Sequence, residues 1–141
     1  MTISAPTKMG VPASTRPRSV LFSVGASLLA NLVLWLVGLA AGGSFELTDG
    51  GTTTPVAPGG VVMLTVVPIV VGMGLAALIS LRWIGVIRIA QVVGVLAPLG
   101  TIAMTVDADF DAATTVTLAL MHVVIAIVVP IGLESMRRGA A

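Results

Sequence analysis

One histidine is the residue of this chain best suited to acid–base chemistry. His122 lies near the middle of residues 111–133, a long apolar segment that carries no charged side chain after its first residue. As a helix rising about 1.5 Å per residue, a segment of this length spans the hydrocarbon core of a bilayer, about 30 Å. An ionisable group at that depth needs a partner or a water-lined cavity. Because imidazole titrates near neutrality, His122 could serve as a pH-sensitive group or as part of a polar conduit.

Three further polar side chains in apolar segments complete a candidate polar membrane site with His122: Asn31, Gln91 and Thr115. At about 100° per residue, Asp111 and Thr115 project within about 20° of His122. Asp111 lies about 16 Å from His122 along the helix axis, so a proton path between them would need water. The structural alternative, which we favour, is a neutral His122 that is hydrogen-bonded across helices to Asn31 or Gln91. We expect the two amides to bond between helices and so to hold them together.

An acidic cluster precedes the last apolar segment: Asp107, Asp109 and Asp111. Alternating carboxylates are typical of the start of a calcium loop. Such a loop needs glycine at its sixth position and glutamate at its twelfth, where this chain has Ala112 and Leu118. We therefore expect Asp111 to be the N-cap of the last helix, accepting the amide of Thr114 or a neighbour, and the other acids to be solvated. The alternative is a weak divalent-cation contact helped by an acid of the first loop.

No catalytic set accompanies these residues in the sequence. Cysteine and tyrosine are absent, and one histidine is too few for a multi-histidine metal or haem site. The sequence also has no nucleophile–base pair, HExxH motif or phosphate loop. We therefore expect a protein that is not an enzyme and that holds no cofactor or metal. With a net charge of +1, we expect no nucleic-acid partner.

The elements that must position the polar residues are membrane helices. Hydrophobic residues make up 57% of the chain and charged residues 9%, and the mean hydropathy is +1.13; soluble domains are about 25% charged. Long apolar segments occur at about residues 20–41, 61–81, 84–104 and 112–133. We predict an all-α fold, an antiparallel bundle of four transmembrane helices that forms one membrane domain over residues 20–134. The first segment is longer than the hydrophobic region of a signal peptide, so we favour a retained helix over a cleaved one.

The segments outside the helices are expected to be short. Residues 1–19, with three prolines and no apolar periodicity, predict a disordered basic cytoplasmic tail, and residues 135–141 a short cytoplasmic tail. Residues 42–60 are rich in glycine, threonine and proline and predict an extracytoplasmic loop. This loop could hold a short strand at residues 44–48 that turns at Asp49-Gly50-Gly51. A very short connection begins at Arg82-Trp83 and predicts a hairpin of the second and third helices.

Charge asymmetry predicts the orientation. Every basic residue falls on the side of the tails and of the 82–88 turn: Lys8, Arg16, Arg18, Arg82, Arg88, Arg137 and Arg138. Five acids fall on the other side: Glu46, Asp49, Asp107, Asp109 and Asp111. The positive-inside rule therefore predicts both termini in the cytoplasm and a multi-pass protein of the cytoplasmic membrane. We also expect the basic residues to attract anionic lipid headgroups of the bilayer.

Several motifs resemble a known family. They are Pro58-Gly-Gly-Val-Val62, Ala97-Pro98-Leu99 and, above all, Thr117-Leu-Ala-Leu-Met-His-Val-Val124, together with the small-residue second helix. These are similar to small four-helix membrane proteins of Actinobacteria grouped as domain of unknown function family 6069, over about residues 20–138. The family usually carries a basic cluster in its second turn, where this chain has Arg82 and Arg88 well separated. The resemblance implies the fold and the membrane location and adds no chemistry.

Small residues predict how the helices pack. Gly72, Ala76 and Ser80 share one face of the second helix, and Gly38 and Gly42 recur at the same spacing at the end of the first. We therefore favour a non-enzymatic interaction or accessory subunit, which forms a homo-oligomer or binds another membrane protein. The alternative is a small proton-linked transporter or pH sensor that uses His122. The residues indicate no substrate for either.

Overall fold

The computed structural model describes residues 12–140. The elements follow in the order α1 (Arg16–Ala40), β1 (Glu46–Asp49), β2 (Thr52–Pro55), α2 (Gly59–Ile79), α3 (Val86–Asp107) and α4 (Ala112–Ala140). Each of the four helices is long and apolar enough to cross a membrane. The prediction of four long apolar helices is therefore confirmed, and the chain is a multi-pass membrane protein.

The first and last helices extend into the predicted tails. The predicted end of the disordered tail, residue 19, is wrong because α1 begins at Arg16; residues 1–11 of that tail lie outside the described residues. Pro17 stands in the first turn, where its missing N–H removes no helical hydrogen bond. At the other end of the chain, α4 continues through the predicted tail to Ala140. There Glu134 pairs with Arg137 and Arg138, three and four residues further along, which supports the added turns.

The helices alternate in direction, as contacts between their ends show. Arg16 Nε, at the start of α1, donates to Ser80 Oγ at the end of α2, at 2.9 Å. Ser44, after α1, contacts Asp111, before α4. α4 packs extensively against both α1 and α3, whereas α2 packs mainly on α1 and has much less contact with α3. α3 is consequently held chiefly by one neighbour, α4.

The buried apolar side chains form two clusters. The larger lies at the end that holds the arginines and consists of Ile69, Met73, Ala76, Ile87, Val129, Leu133 and Met136. The smaller lies at the opposite end, where Phe45, Val61 and Met121 pack with the half-buried Trp35 and Leu118. Many large apolar side chains face outward, such as Leu64, which is 74% exposed. This surface suits a hydrocarbon environment in which outward apolar residues are solvated by lipid.

A β-hairpin projects from the loop between α1 and α2. Strands β1 and β2 pair antiparallel with Asp49 opposite Thr52, and Gly50-Gly51 form the turn. Both glycines have positive φ, 54° and 81°, the backbone that a two-residue type I′ turn requires. All of the hairpin's side chains are exposed except Leu47, which is half-buried. The hairpin therefore lies outside the helical core.

Candidate functional site

His122 bonds to its own helix. Its Nδ1 lies 2.7 Å from the carbonyl oxygen of Leu118, one turn earlier in α4. A carbonyl oxygen only accepts, so Nδ1 carries the hydrogen and, in the neutral ring, Nε2 is left as an acceptor. Within residues 12–140 the predicted hydrogen bond from His122 to Asn31 or Gln91 is absent, so that prediction is wrong. The half-buried ring has one polar atom hydrogen-bonded to its own helix and, in the part of the chain that the structure describes, no hydrogen bond to a second helix.

The two amides bond between helices, as predicted, but with partners other than His122. Asn31 Nδ2 donates to Thr65 Oγ1 at 2.9 Å, which links α1 to α2 through two almost fully buried side chains. Gln91 Nε2 donates to the Pro130 carbonyl and to Glu134 Oε2, each at 3.3 Å, which links α3 to α4. Each amide therefore pins one pair of helices.

Within the described residues, no hydrogen bond joins any two of the four residues of the predicted polar membrane site. Thr115, the fourth of them, donates its hydroxyl to the Asp111 carbonyl at 3.0 Å, within its own helix turn. His122 and Thr115 each bond along α4, whereas Asn31 and Gln91 serve two different helix pairs. The shared helical face seen in the sequence does not become a hydrogen-bonded chain.

Asp111 is the N-cap of α4, as predicted. Its carboxylate accepts from Thr114 through the backbone N–H at 2.8 Å and the hydroxyl at 2.6 Å, and from Ser44 through the N–H at 3.0 Å and the hydroxyl at 2.8 Å. The bonds from Thr114, and then those from Ser44, hold the pKa of Asp111 well below its usual range. Thr114 Oγ1 in turn accepts from the N–H of Phe45 at 3.0 Å. This cap therefore fastens the loop after α1 to the start of α4.

The acidic cluster does not assemble into a metal site in the described part of the chain. Across residues 12–140, no three His, Asp or Glu side chains come close enough to share a metal ion. Asp107 ends α3 and Asp109 follows in the loop, whereas the Asp111 carboxylate is directed to Ser44 and Thr114. The acids alternate in sequence, but the chain directs them to separate surroundings.

A buried polar stripe on α1 was missed by the sequence reasoning. Its members are Ser19, Ser23, Ser27 and Asn31, each at most 1% exposed. Their spacing of four places them on one helical face, over about 18 Å of axis. Among the described residues, the three serine hydroxyls have no hydrogen-bond partner. The spacing was the signal available in the sequence, but only Asn31 was singled out from it.

The stripe lets α1 and α4 approach closely. A Cβ added at Gly132 of α4 would overlap the Ser23 hydroxyl, and a Cβ at Gly38 would lie 2.5 Å from Thr117 Oγ1. Small residues at such crossings gain dispersion contact that lipid does not supply. A serine hydroxyl in a helix can also rotate towards the carbonyl one turn earlier, so the stripe requires no ligand. We interpret it as a packing seam.

Two grooves open on the outer surface of the helices. The α2–α3 groove encloses about 180 Å³ and is lined only by nonpolar residues: Pro68, Ile69, Gly72, Met73, Ala90, Val93, Gly94, Ala97, Pro98, Ile125, Val129 and Leu133. The α3–α4 groove, about 460 Å³, is lined by Arg88, Gln91, Val92, Val95, Leu96 and Pro130. The first suits an apolar occupant, whereas the second combines a cation with an apolar wall.

Comparison with known proteins gives one match. Residues 11–139 match a family described as "Family of unknown function (DUF6069)". No curated protein and no solved structure matches the chain. Because the match extends over most of the sequence, it confirms the resemblance carried by the Leu-Met-His segment and the other motifs. The chain therefore belongs to the DUF6069 family, a family of unknown function.

Proposed function

We propose that this protein is a non-enzymatic membrane subunit that acts through helix–helix contact in the bilayer, as an interaction or accessory protein. The observation that carries the proposal is the α2–α3 groove. α2 and α3 are consecutive and joined by a short connection, yet they contact each other little. The gap between them is lined by nonpolar residues, and residues of α4 form its base. Such a gap suits the ridge of another transmembrane helix.

The two glycines of the groove differ in what the monomer requires of them. A Cβ at Gly94 would lie 2.9 Å from Val129 Cγ1, so Gly94 is needed where α3 crosses α4. A Cβ at Gly72 would have no heavy atom within 4 Å, so the monomer does not require Gly72 to be small. Glycine inside a helix costs about 1 kcal/mol relative to alanine. A close contact from outside the monomer would account for it.

The occupant that we propose is a second copy of this chain. Beside Gly72 on α2, Val71 and Leu75 are 53% and 54% exposed and form an outward ridge. A ridge next to a groove on one face allows an isologous dimer, in which the ridge of each copy enters the groove of the other. The two copies would then pack through small residues at their interface, as α1 and α4 do within one chain.

Substituting Gly72 by leucine tests this interface. We expect Gly72→Leu to fill the groove and shift the protein from dimer to monomer, with the monomer still folded because the added Cβ meets open space. The measurement is single-molecule photobleaching of labelled protein in liposomes at increasing dilution. The matched control is Gly25→Leu, since Gly25 is also exposed, helical and free of contacts within 4 Å. Wild-type protein that is monomeric throughout, or a Gly72→Leu protein that dimerises like Gly25→Leu, would contradict the proposed dimer.

We also propose that both termini face the cytoplasm, in the cytoplasmic membrane. All arginines of the described residues belong to the start of α1, the α2–α3 connection with the start of α3, or the end of α4. Alternating helices bring these segments to one end. The acids of β1, Glu46 and Asp49, and those at the α3–α4 connection, Asp107, Asp109 and Asp111, lie at the opposite end. Among the acids of the described residues, only Glu134 lies beside the arginines. This asymmetry supports the orientation through the positive-inside rule.

Labelling of introduced cysteines tests the orientation, since the natural chain has none. We expect Thr53→Cys, on the exposed hairpin, to react with a membrane-impermeant maleimide in intact cells. We expect Arg138→Cys, at the arginine end, to react only after permeabilisation, because the reagent cannot cross the bilayer. The reverse pattern, or equal labelling of both sites in intact cells, would overturn the proposed orientation.

The alternative function, proton-linked transport or pH sensing through His122, has less support. It needs polar groups near the imidazole, whereas the bond of His122 is to the backbone of its own helix. The buried stripe of α1 is polar, but its serines pack against α4 at the close crossing with Gly132. The α2–α3 groove, lined only by nonpolar residues, offers no path for a charged solute. Helix–helix contact is therefore the function that we retain.

A further inference from the structure

Arg88 is the charged residue of the α3–α4 groove. It is exposed, and within residues 12–140 no carboxylate forms a salt bridge with it. The other cations nearby on α4 differ in this respect, since Arg137 and Arg138 both pair with Glu134. Gln91, the remaining polar residue of the groove, uses its amide N–H groups on Pro130 and Glu134. The groove therefore presents one guanidinium that is available to an external anion.

The position of Arg88 corresponds to the level of lipid headgroups. It is the third residue of α3, which begins at Val86 just after the exposed Trp83. Tryptophan is typical of the membrane interface. From Arg88 the groove continues along Val92, Val95 and Leu96, about 12 Å further along the helix axis and into the hydrocarbon layer. A cation at the interface thus lies at the headgroup end of an open apolar groove.

We propose that the α3–α4 groove binds one anionic phospholipid. The phosphate accepts hydrogen bonds from the Arg88 guanidinium, whose planar N–H groups match phosphate oxygens. One acyl chain lies along Val92, Val95, Leu96 and Pro130. Charge complementarity favours this occupant, because a zwitterionic lipid would add an ammonium group beside the Arg88 guanidinium, the one charged group of the groove lining. This site is separate from the α2–α3 groove, so it stands independently of the dimer.

Lipid titration of the full-length protein in mild detergent tests the site. The probes are phosphatidylglycerol and phosphatidylcholine with identical acyl chains, and bound lipids are counted by native mass spectrometry. We expect one tightly retained phosphatidylglycerol and weaker binding of phosphatidylcholine. Arg88→Gln is expected to weaken phosphatidylglycerol binding about fivefold, the usual contribution of one arginine at a lipid surface. The matched control, Arg82→Gln, removes an exposed arginine that does not line the groove. It should weaken only the general attraction of anionic lipid to the surface and leave the one tightly retained phosphatidylglycerol in place.

Two further experiments distinguish the contribution of the headgroup to binding from that of the acyl chain. Val92 lines the groove and is 57% exposed. Val92→Trp is therefore expected to fill the α3–α4 groove and weaken the binding of phosphatidylglycerol without unfolding the protein. Inorganic phosphate is expected not to compete with phosphatidylglycerol, because it has no acyl chain to occupy the α3–α4 groove. Any one of four results would overturn the proposal: equal retention of the two lipids, equal effects of Arg88→Gln and Arg82→Gln, unchanged lipid binding in Val92→Trp, or displacement of the lipid by inorganic phosphate.

Discussion

Gly132→Ala is expected to lower the free energy of unfolding by about 1 to 3 kcal/mol, the usual cost of overpacking a closely packed interior. The added Cβ would overlap the Ser23 hydroxyl of α1 and would lie 3.1 Å from Met73 Cε of α2. Rotation of the Ser23 hydroxyl would relieve part of the overlap, but Ser23 Cβ would still lie 3.3 Å from the added Cβ. Full relief therefore requires α1 and α4 to shift slightly apart. The measurement is thermal or denaturant unfolding in detergent micelles, followed by tryptophan fluorescence and size-exclusion chromatography.

A compensating variant shows whether the α1–α4 crossing is the cause. Ser23→Ala removes the hydroxyl that the new methyl would meet, so we expect the double variant to recover much of the lost stability. Gly25→Ala is the matched control, because Gly25 is helical and exposed and its Cβ would have no heavy atom within 4 Å; it should be neutral or slightly stabilising through better helix propensity. Gly132→Ala with the stability of Gly25→Ala, or a double variant as unstable as Gly132→Ala, would show that the crossing is looser than the structure indicates.

Phe45→Ala is expected to be the most destabilising of the single truncations outside the helices, by about 3 to 5 kcal/mol, the range for buried phenylalanines. Phe45 is 2% exposed and packs with Val61 and Met121, so alanine would leave a cavity between the loop and two helices. Its backbone has a φ of 53°, which is unfavourable for a side chain with a Cβ and which alanine does not relieve. The loss would therefore come from packing.

The two tryptophans provide the readout for Phe45→Ala. Trp35 packs against the cluster that contains Phe45, whereas Trp83 lies outside it and is 55% exposed. We expect the emission of Trp35 to shift to longer wavelength in Phe45→Ala and that of Trp83 to remain, when each is studied in a chain lacking the other. The control is Phe22→Ala, since Phe22 is 60% exposed on the outer face of α1. Equal unfolding temperatures for the two alanine variants would contradict the assigned role of Phe45.

The packing around Gly132 and around Phe45 explains why α1 and α4 are closely packed whereas α3 has open grooves beside it. Gly132 with the α1 stripe joins α1 to α4, and Phe45 with the Asp111 cap joins the following loop to α4. α3 receives less support, with only Ile87 and Thr105 buried in it. Both outward grooves consequently border α3. The proposed dimer contact and the proposed lipid site use the two sides of this weakly enclosed helix.

Some predicted features depended on local sequence alone, and those were confirmed. Four apolar runs of bilayer length specify four helices, because hydrocarbon leaves the backbone no partners outside the chain. Asp111 could be identified as an N-cap since its acceptor reaches an amide three residues later. The interhelical role of Asn31 and Gln91 also followed from residue type and depth. The direction in which the assembly crosses the membrane stays a prediction.

The choice of partners was decided only by the tertiary structure. His122 and Asn31 both lie in long apolar segments, yet a hydrogen bond needs about 3 Å between two atoms, and apolar periodicity does not determine helix rotation to that precision. The packing instead turns Asn31 to Thr65 and leaves His122 bonded to Leu118. The open side of α3 likewise depends on how far apart α2 and α3 lie, which their short connection does not determine. The amino-acid sequence by itself thus specified which segments enter the membrane and which end of the helices carries the positive charge. Close packing of small residues against α4, which only the tertiary structure shows, determined which faces of the helices are buried and which remain available for contact.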